Sequence, residues 1–201
     1  MDASILAPIK ELYDLWNSVY PHLTKHIGEV YGRRDGHVLE IGPFCGTVFP
    51  MQAQGIGGCF SIAAFPSGMG DFFRKEAEQL NIANTIQIVE SNASLAGIAE
   101  YSIDLVIFRG ALFFPSLFRV DFSAIYRVLR EKGIAMIGGG FGKYTPQEVI
   151  DAIGERSRDL NLRIGKTEMT ADVLREDVKS GKIPGYAEIV TDGGLWVIMK
   201  K

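Results

Sequence analysis

The sequence predicts an α/β fold of the Rossmann-like, doubly wound type, built on a mostly parallel seven-stranded sheet. Short apolar runs of strand length alternate with longer stretches of helical periodicity, which is typical of right-handed βαβ crossovers. The first of these runs ends in an acid and a glycine-containing turn. At the carboxyl end, two alternating runs are joined by Asp192-Gly193, a type I′ turn signal, so we expect an antiparallel hairpin strand to complete the sheet.

Helical periodicity identifies the helices in order. Apolar residues from Ile5 to Trp16 recur on one face and predict an amphipathic first helix. A later helix has a clear start signal, with Thr145 as N-cap, Pro146 at the first helical position and Glu148 as capping-box partner. We expect helices over residues 4–18, 21–31, 47–54, 67–81, 117–130, 145–159 and 170–180.

The strands are predicted from short apolar runs between turn residues. The run from Asp104 to Phe108 is continuously apolar after its acid, which is typical of a strand covered on both faces. We expect strands over residues 38–41, 57–63, 85–89, 104–108 and 133–137, followed by the hairpin over residues 187–201.

Composition and charge restrict the class of protein. The net charge is −3 and the basic residues are scattered, whereas a nucleic-acid binder concentrates its positive charge. No apolar run reaches the ~20 residues of a membrane helix, and the amino end does not have the pattern of a secretory signal. Cys45, Cys59 and three scattered histidines match no metal-ligand spacing. We expect a cytoplasmic protein with a small-molecule ligand and with no nucleic acid, membrane or metal partner; a homo-oligomer is left open.

The first strand carries the most informative motif. Glu40 is followed by Gly42, Phe44 and Gly46 at alternate positions, and a helix opens at Thr47. This order of strand, acid, glycine loop and helix builds the nucleotide site of open α/β sheets, because glycine lets a ligand approach the backbone and the helix N-terminus favours an anion. The alternative is an ordinary strand-to-helix turn.

Three stretches in order resemble signature motifs of class I S-adenosylmethionine-dependent methyltransferases. They are VLEIGPFCG at 38–46, SIDLVIFRGALFF at 102–114 and IYRVLREKGIAMI at 125–137. The closing EIVTDGGLWVIMKK is similar to the reversed final strand of that family, and the IFRGALFF and GGGFG stretches resemble small microbial members of its Type 11 group. The resemblance covers nearly the whole chain.

The resemblance implies a single methyltransferase-like domain over residues 1–201. Residues 1–35 would be an N-terminal helical addition, 36–142 the cofactor-binding core, and 143–201 the C-terminal helices and β-hairpin. The implied cofactor is S-adenosylmethionine.

The resemblance also implies where that cofactor binds. The loop would lie beneath its methionine part, Glu40 would hold its ammonium, and Asn92 would accept from the adenine amino group, with Ala93 against the ring. Arg109 would face cofactor and acceptor from the end of the fourth strand. The implied cofactor-binding residues are Glu40, Gly42, Pro43, Phe44, Gly46, Ala63, Ala64, Asn92, Ala93 and Arg109. From the residues alone, Glu40 is alternatively a helix-terminus counter-charge, Asn92 a turn residue and Arg109 a solvated edge charge.

Two positions depart from the family pattern. The acid that usually binds the ribose hydroxyls after the second strand falls on Ala63. A hydrogen bond to a charged acceptor contributes about 1.5–3 kcal/mol, so its loss weakens cofactor binding. Phe44 replaces the middle glycine, so its ring must turn away from the cofactor, pack on the adenosine or close the pocket.

The function that the resemblance implies is methyl transfer to a small-molecule acceptor. We expect the acceptor pocket to be roofed by Tyr13, Trp16 and Tyr20 and floored by Phe113, Phe114, the GGGFG loop and Tyr144. The sequence offers no obvious catalytic base. The catalytic residue is unknown, and the candidates for orienting an acceptor are Tyr20, Arg109 and Tyr144.

Two alternative functions are weighed against methyl transfer. Ala63 and Phe44 motivate a catalytically silent methyltransferase-like domain that acts as a binding module. An NAD-binding oxidoreductase fits less well, because its fingerprint also needs an acid after the second strand and the terminal hairpin is not its usual ending.

Overall fold

The structure is a computed structural model that describes residues 5–201. Residue 4, where the predicted first helix begins, lies outside the described residues, as do residues 1–3. The helices are α1 (Leu6–Leu15), α2 (Tyr20–Tyr31), α3 (Val48–Ala53), α4 (Met69–Gln79), α5 (Phe122–Val128), α6 (Gln147–Ile164) and α7 (Ala171–Lys179). The strands are β1 (His37–Ile41), β2 (Cys59–Ala64), β3 (Ile86–Glu90), β4 (Ile103–Arg109), β5 (Leu129–Gly139), β6 (Tyr186–Val190) and β7 (Leu195–Lys200).

The seven strands form one sheet in the order β3-β2-β1-β4-β5-β7-β6. Strands β1 to β5 are parallel to one another, whereas β7 is antiparallel to both of its neighbours, β5 and β6. The predicted fold class is therefore confirmed, including the reversed C-terminal strand. The strand order reverses between β1 and β4, and open α/β sheets bind their ligands at the carboxyl edge of such a switch point.

The central strand and the first helix position the site. All seven residues of β4 are buried, as its continuous apolar run predicts. Helix α1 packs against α6, and both contribute residues beside the carboxyl ends of β4 and β5. Within residues 5–201, no helix combines the length and apolar character that crossing a membrane requires.

The predicted capping box of α6 is wrong. Pro146 is the N-cap residue and the helix begins at Gln147. The Thr145 hydroxyl donates instead to the carbonyl of Phe141, which holds the preceding turn. The helix also continues to Ile164, past the predicted end at residue 159.

Helix α5 is shorter than the predicted 117–130. It begins at Phe122, because the Asp121 side chain caps it by accepting from the Ala124 N–H at 2.8 Å. It ends at Val128, since β5 starts with the next residue, Leu129. Side-chain capping and strand pairing override the longer helical pattern here.

The terminal hairpin is confirmed, but its turn is not type I′. A type I′ turn needs positive φ at both central residues, here Asp192 and Gly193. Gly193 has a φ of 67°, but the φ of Asp192 is not positive; Gly194, which follows them, has a φ of 147°. The reason is tertiary: Gly142 N–H donates to the Gly193 carbonyl at 2.7 Å, so the tip of the hairpin lies against the glycine-rich end of β5. A Cβ on Gly194 would lie 2.4 Å from the carbonyl oxygen of Gly139.

Candidate functional site

Glu40 organises the turn that follows β1. Its carboxylate is fully buried and accepts backbone N–H groups from Gly46 at 2.9 Å, Thr47 at 3.0 Å and Val48 at 3.1 Å, together with the Thr47 hydroxyl at 2.8 Å. Val48 is the first residue of α3, Thr47 is its N-cap and Gly46 precedes it, so these donors lie at the N-terminal end of the helix, which favours an anion. Burial raises the pKa of Glu40, and these hydrogen bonds and Arg109 oppose that rise. The side chain therefore acts as the counter-charge of the helix, the alternative raised from the sequence.

Two aromatic rings of the protein pack against the glycines of this loop. Residues 42–46, Pro43 included, are all buried. Gly42 has φ +97°, and a Cβ there would lie 2.9 Å from Cε2 of Phe108. A Cβ on Gly46 would lie 2.5 Å from the ring of Tyr20. The two glycines thus make room for rings of this chain.

Phe44 turns away from the crevice, as one of the sequence alternatives requires. Its ring lies 4.7 Å from that of Phe114, centroid to centroid. It also covers Gly110, where a Cβ would lie 2.4 Å from Phe44 Cδ2. Phe44 therefore belongs to the floor beneath the ends of β4 and β5.

The end of β2 is apolar and lies one residue later than expected. Ala63 is inside the strand, paired with Ile41 and Val89, and β2 ends at Ala64. Both alanines are fully buried, and the next residue is Phe65. The placement of Ala63 at the strand end is therefore wrong by one position.

Phe65 belongs to an aromatic cluster that the sequence reasoning missed. Its ring lies 6.0 Å from Phe108 and 5.6 Å from Phe118, and the last two rings are 5.1 Å apart. All three side chains are buried. The cluster joins the residue after β2 to the end of β4. No local pattern marks it, because its members come from three separate segments.

Asn92 and Ala93 follow β3 at the outer side of this crevice. Asn92 is exposed, and its side-chain carbonyl accepts from the Ser94 N–H at 3.0 Å and the Ser94 hydroxyl at 2.7 Å. Ala93 is half-buried. Asn92 therefore stabilises a turn in this structure, which is the alternative that its sequence position allowed.

These observations describe the surroundings of the implied cofactor site. The backbone turn after β1 has the expected form, the Phe108 ring lies against Gly42, and the Phe65 ring packs near Phe108 just after the end of β2. The Asn92 carbonyl is hydrogen-bonded within its own turn. Binding of S-adenosylmethionine over this turn would therefore require the Phe108 ring to move.

The open space lies on the other side of the loop, in a cavity of about 710 Å³. Its lining comes from α1, the carboxyl ends of β4 and β5, α6, and the segment 166–170. A volume of this size accepts a small organic molecule. We call this space the aromatic cavity, after its ring-bearing lining residues Trp16, Phe44, Phe113, Phe114 and Phe141.

Arg109 reaches the aromatic cavity from the end of β4. It is only 5% exposed, so the alternative of a solvated edge charge is wrong. Its Nε donates to the Phe44 carbonyl and one terminal nitrogen donates to the Tyr20 hydroxyl, both at 3.0 Å. The guanidinium lies 4.5 Å from the Trp16 ring centroid and 4.9 Å from that of Tyr20.

The other predicted cavity residues are partly confirmed. Trp16, Phe113 and Phe114 line the cavity, as does Phe141 of the GGGFG loop. Tyr13 does not; its ring packs against Phe72 at 5.0 Å.

The two candidate tyrosines do not line the cavity. Tyr20 is buried behind Arg109, and burial raises its pKa, so it is a neutral phenol and cannot act as a base at neutral pH. Tyr144 donates to Glu29 on α2, with Lys25 over its ring at 4.3 Å. It is therefore not placed to orient a ligand in the aromatic cavity.

Helix α6 supplies a wall that the sequence reasoning missed. Ser157 is buried and accepts the indole N–H of Trp16 at 3.0 Å, which fixes the ring that roofs the cavity. Gly154 leaves the wall open, since a Cβ there would meet nothing within 4 Å. A glycine inside a helical pattern was the available signal.

Solved structures share this fold. A provisionally assigned S-adenosyl-L-methionine-dependent methyltransferase from Methanococcus maripaludis is 24% identical, with 96% of this chain and 91% of that chain covered and a TM-score of 0.77. A SAM-dependent methyltransferase from Aquifex aeolicus is 12% identical, with 99% of both chains covered and a TM-score of 0.63.

A third similar structure is geranyl diphosphate C-methyltransferase from Streptomyces coelicolor, in complex with Mg²⁺, geranyl-S-thiolodiphosphate and S-adenosyl-L-homocysteine. It is 13% identical, with 88% of this chain and 73% of that chain covered and a TM-score of 0.57. No protein-family model matches the sequence, and no curated protein matches it significantly.

Proposed function

We propose that this chain, which has the fold of the class I S-adenosylmethionine-dependent methyltransferases, transfers a methyl group to a small molecule held in the aromatic cavity. The observation that carries the proposal is the position of the cavity. It opens beside the glycine loop at the carboxyl ends of β4 and β5, next to the switch point at which this fold binds its ligands.

The residues of the cavity suit positioning. Trp16 is held by Ser157 and stacks on Phe141 with ring centroids 4.8 Å apart and planes 8° apart. Such a fixed apolar wall excludes water and orients a flat ligand, and orientation alone can supply a large part of a rate enhancement. Glu168, exposed at the rim, is the one carboxylate among the lining residues described, so the proposal does not include general-base catalysis.

S-adenosylmethionine would supply the methyl group, and its binding requires the Phe108 ring to leave the space over Gly42. Phe108 makes two aromatic contacts, with Phe65 and Phe118. Each such pair contributes about 0.5–1.5 kcal/mol, so displacing the ring costs about 1–3 kcal/mol. That cost corresponds to about five- to 150-fold in affinity.

Calorimetry with S-adenosylhomocysteine tests the proposal. We expect weak binding by the unaltered protein and tighter binding by Phe108→Leu, because the smaller side chain opens the cradle. Phe73→Leu is the matched control, since Phe73 is a fully buried phenylalanine of α4 outside the crevice. If both the unaltered protein and Phe108→Leu are folded and neither binds at millimolar ligand, the proposal of methyl transfer is wrong.

One observation favours a second function. Aromatic rings packed against the glycine loop are what a binding module with a methyltransferase fold and no cofactor would show. None of the comparisons supports this second function. It predicts that ligands enter the aromatic cavity while S-adenosylhomocysteine fails to bind, even after Phe108→Leu.

A further inference from the structure

We infer that the aromatic cavity binds a flat apolar molecule bearing an oxyanion such as a carboxylate, and that Arg109 anchors that anion. The inference rests on the proposed function in one respect, since it names the acceptor class for the same cavity. Its test measures binding alone, so it can fail or hold independently of methyl transfer.

The charge of Arg109 lacks an adjacent counter-ion. Among the ion pairs within residues 5–201, none includes Arg109, although its side chain is 95% buried. Glu40 acts on it only through space, because that carboxylate is taken up by the first turn of α3. A buried charge without a paired partner is costly, so an anion brought by a ligand would be favoured.

The hydrogen-bonding capacity of Arg109 is also incompletely used. A guanidinium has five N–H donors, and here only Nε and Nη2 donate to the protein, to Phe44 and Tyr20. Nη1 has no partner in the described part of the chain, and it is not among the buried polar atoms that lack one. It is therefore not completely enclosed by protein, and the open space next to Arg109 is the aromatic cavity.

The guanidinium is held in place before any ligand arrives. It lies between the rings of Trp16 and Tyr20, and the Trp16 ring is itself fixed by Ser157 and by stacking on Phe141. Cation–π contacts orient a guanidinium without neutralising it. Because little side-chain entropy remains to be lost, a hydrogen bond from Nη1 to a ligand is favoured.

The surroundings agree with an anionic ligand that has an apolar body. Arg158 and Lys166 are exposed at the rim, against one acid, Glu168. The aromatic walls accept a ring system, and the cavity volume of about 710 Å³ leaves room for one. Charge and shape thus point to the same class of ligand.

A matched pair of probes tests the inference on the unaltered protein. 2-Naphthoate and 2-naphthamide have nearly the same shape and differ in charge, and quenching of the fluorescence of Trp16 reports their binding. The other tryptophan, Trp196, is fully buried and supplies a constant background. A charge-assisted hydrogen bond contributes about 1.5–3 kcal/mol, so naphthoate should bind about ten- to hundredfold more tightly than the amide.

Three variants locate the effect. Arg109→Gln should remove the preference for naphthoate, and Arg109→Lys should keep part of it, because a lysine keeps the charge and loses the planar fork. Arg158→Gln is the control at the rim, where water and salt screen the charge, and should change the preference less than threefold. Circular dichroism shows whether each variant is folded.

Two outcomes would overturn the inference. Equal affinity of the unaltered protein for the two probes would show that the cavity does not select an anion, and this result needs no variant. The second outcome concerns the methionine carboxylate of the cofactor, which is also an oxyanion. If Arg109→Gln weakens S-adenosylhomocysteine binding and leaves the naphthoate preference intact, Arg109 serves the cofactor instead of the acceptor.

Discussion

The glycine loop allows a direct test of whether the crevice is filled by the protein's own rings. An alanine at Gly46 would place a Cβ 2.5 Å from the Tyr20 ring, at an ordinary φ. An alanine at Gly42 would place a Cβ 2.9 Å from Phe108 and would also require φ +97°. Gly46→Ala therefore measures steric contact alone, and Gly42→Ala measures contact together with backbone strain.

Two other glycines separate these effects. Gly55 has φ +65°, and a Cβ there would meet nothing within 4 Å, so Gly55→Ala measures backbone strain alone. Gly97 does not have a left-handed φ, and a Cβ there would meet nothing within 4 Å. Gly97→Ala therefore measures neither backbone strain nor steric contact and serves as the baseline.

The expected losses of unfolding free energy follow from these contacts. A left-handed conformation costs alanine about 1–2 kcal/mol. Loss of glycine's freedom in the unfolded chain returns about 0.4–1 kcal/mol. Steric overpacking costs about 1–3 kcal/mol. We expect Gly97→Ala to be neutral or slightly stabilising and Gly55→Ala to lose about 0.5–1 kcal/mol. Gly46→Ala should lose about 0.5–2.5 kcal/mol and Gly42→Ala about 1.5–4 kcal/mol, after the same return from the unfolded chain is subtracted.

Urea unfolding followed by far-UV circular dichroism gives the four values. In a Phe108→Leu background, the cost of Gly42→Ala should fall toward that of Gly55→Ala, because the blocking ring is gone. The cost of Gly46→Ala should stay the same there, since Tyr20 is untouched. If Gly46→Ala matches Gly97→Ala within about 0.5 kcal/mol, the usual spread of surface substitutions, the ring does not cover the loop.

The remaining predictions concern pH and the cavity wall. Burial, and to a smaller extent Arg130, lower the pKa of His37 from its usual 6.5. The unfolded chain then binds a proton more readily than the folded protein, so the unfolding free energy should fall as the pH drops from 7 through 6.5 and below. His37→Gln should reduce that fall, which is measured as the difference between the urea midpoints at pH 7.5 and pH 5.5. Trp16→Phe removes the hydrogen bond from the indole N–H to Ser157 and should lower the unfolding free energy by about 1–2 kcal/mol. The same variant should weaken naphthoate binding, and an unchanged naphthoate affinity would show that Trp16 is not a wall of the site.

Much of the architecture follows from short-range patterns. The strand run from Asp104 to Phe108 is confirmed as the buried centre of the sheet, because continuous apolarity needs only neighbouring residues to be recognised. The hairpin is confirmed for the same reason. Its turn type is not, because Gly193 meets the backbone of Gly142, which no local pattern contains.

The residues of the site likewise differ in whether local sequence could predict their surroundings. The position of Glu40 at the end of a strand and the start of a helix is local, and the sequence alone allowed its role as a helix counter-charge. The family resemblance placed Arg109 facing the acceptor, but its burial beside Trp16 and Tyr20 was not predictable, since those residues lie far away in the chain. Ser157, which fixes the Trp16 ring, lies 141 residues away from Trp16 in the sequence.

Local patterns were enough to establish the order of strands and helices, the reversed final strand and the glycine turn after β1, because periodicity and turn chemistry act over a few residues. Which side chains surround that turn depends on contacts between distant segments, which no local pattern contains. Phe108 and Tyr20 reach Gly42 and Gly46 from other elements, and their rings pack against the turn. The same packing leaves Arg109 buried, uncompensated by an adjacent acid and facing the aromatic cavity.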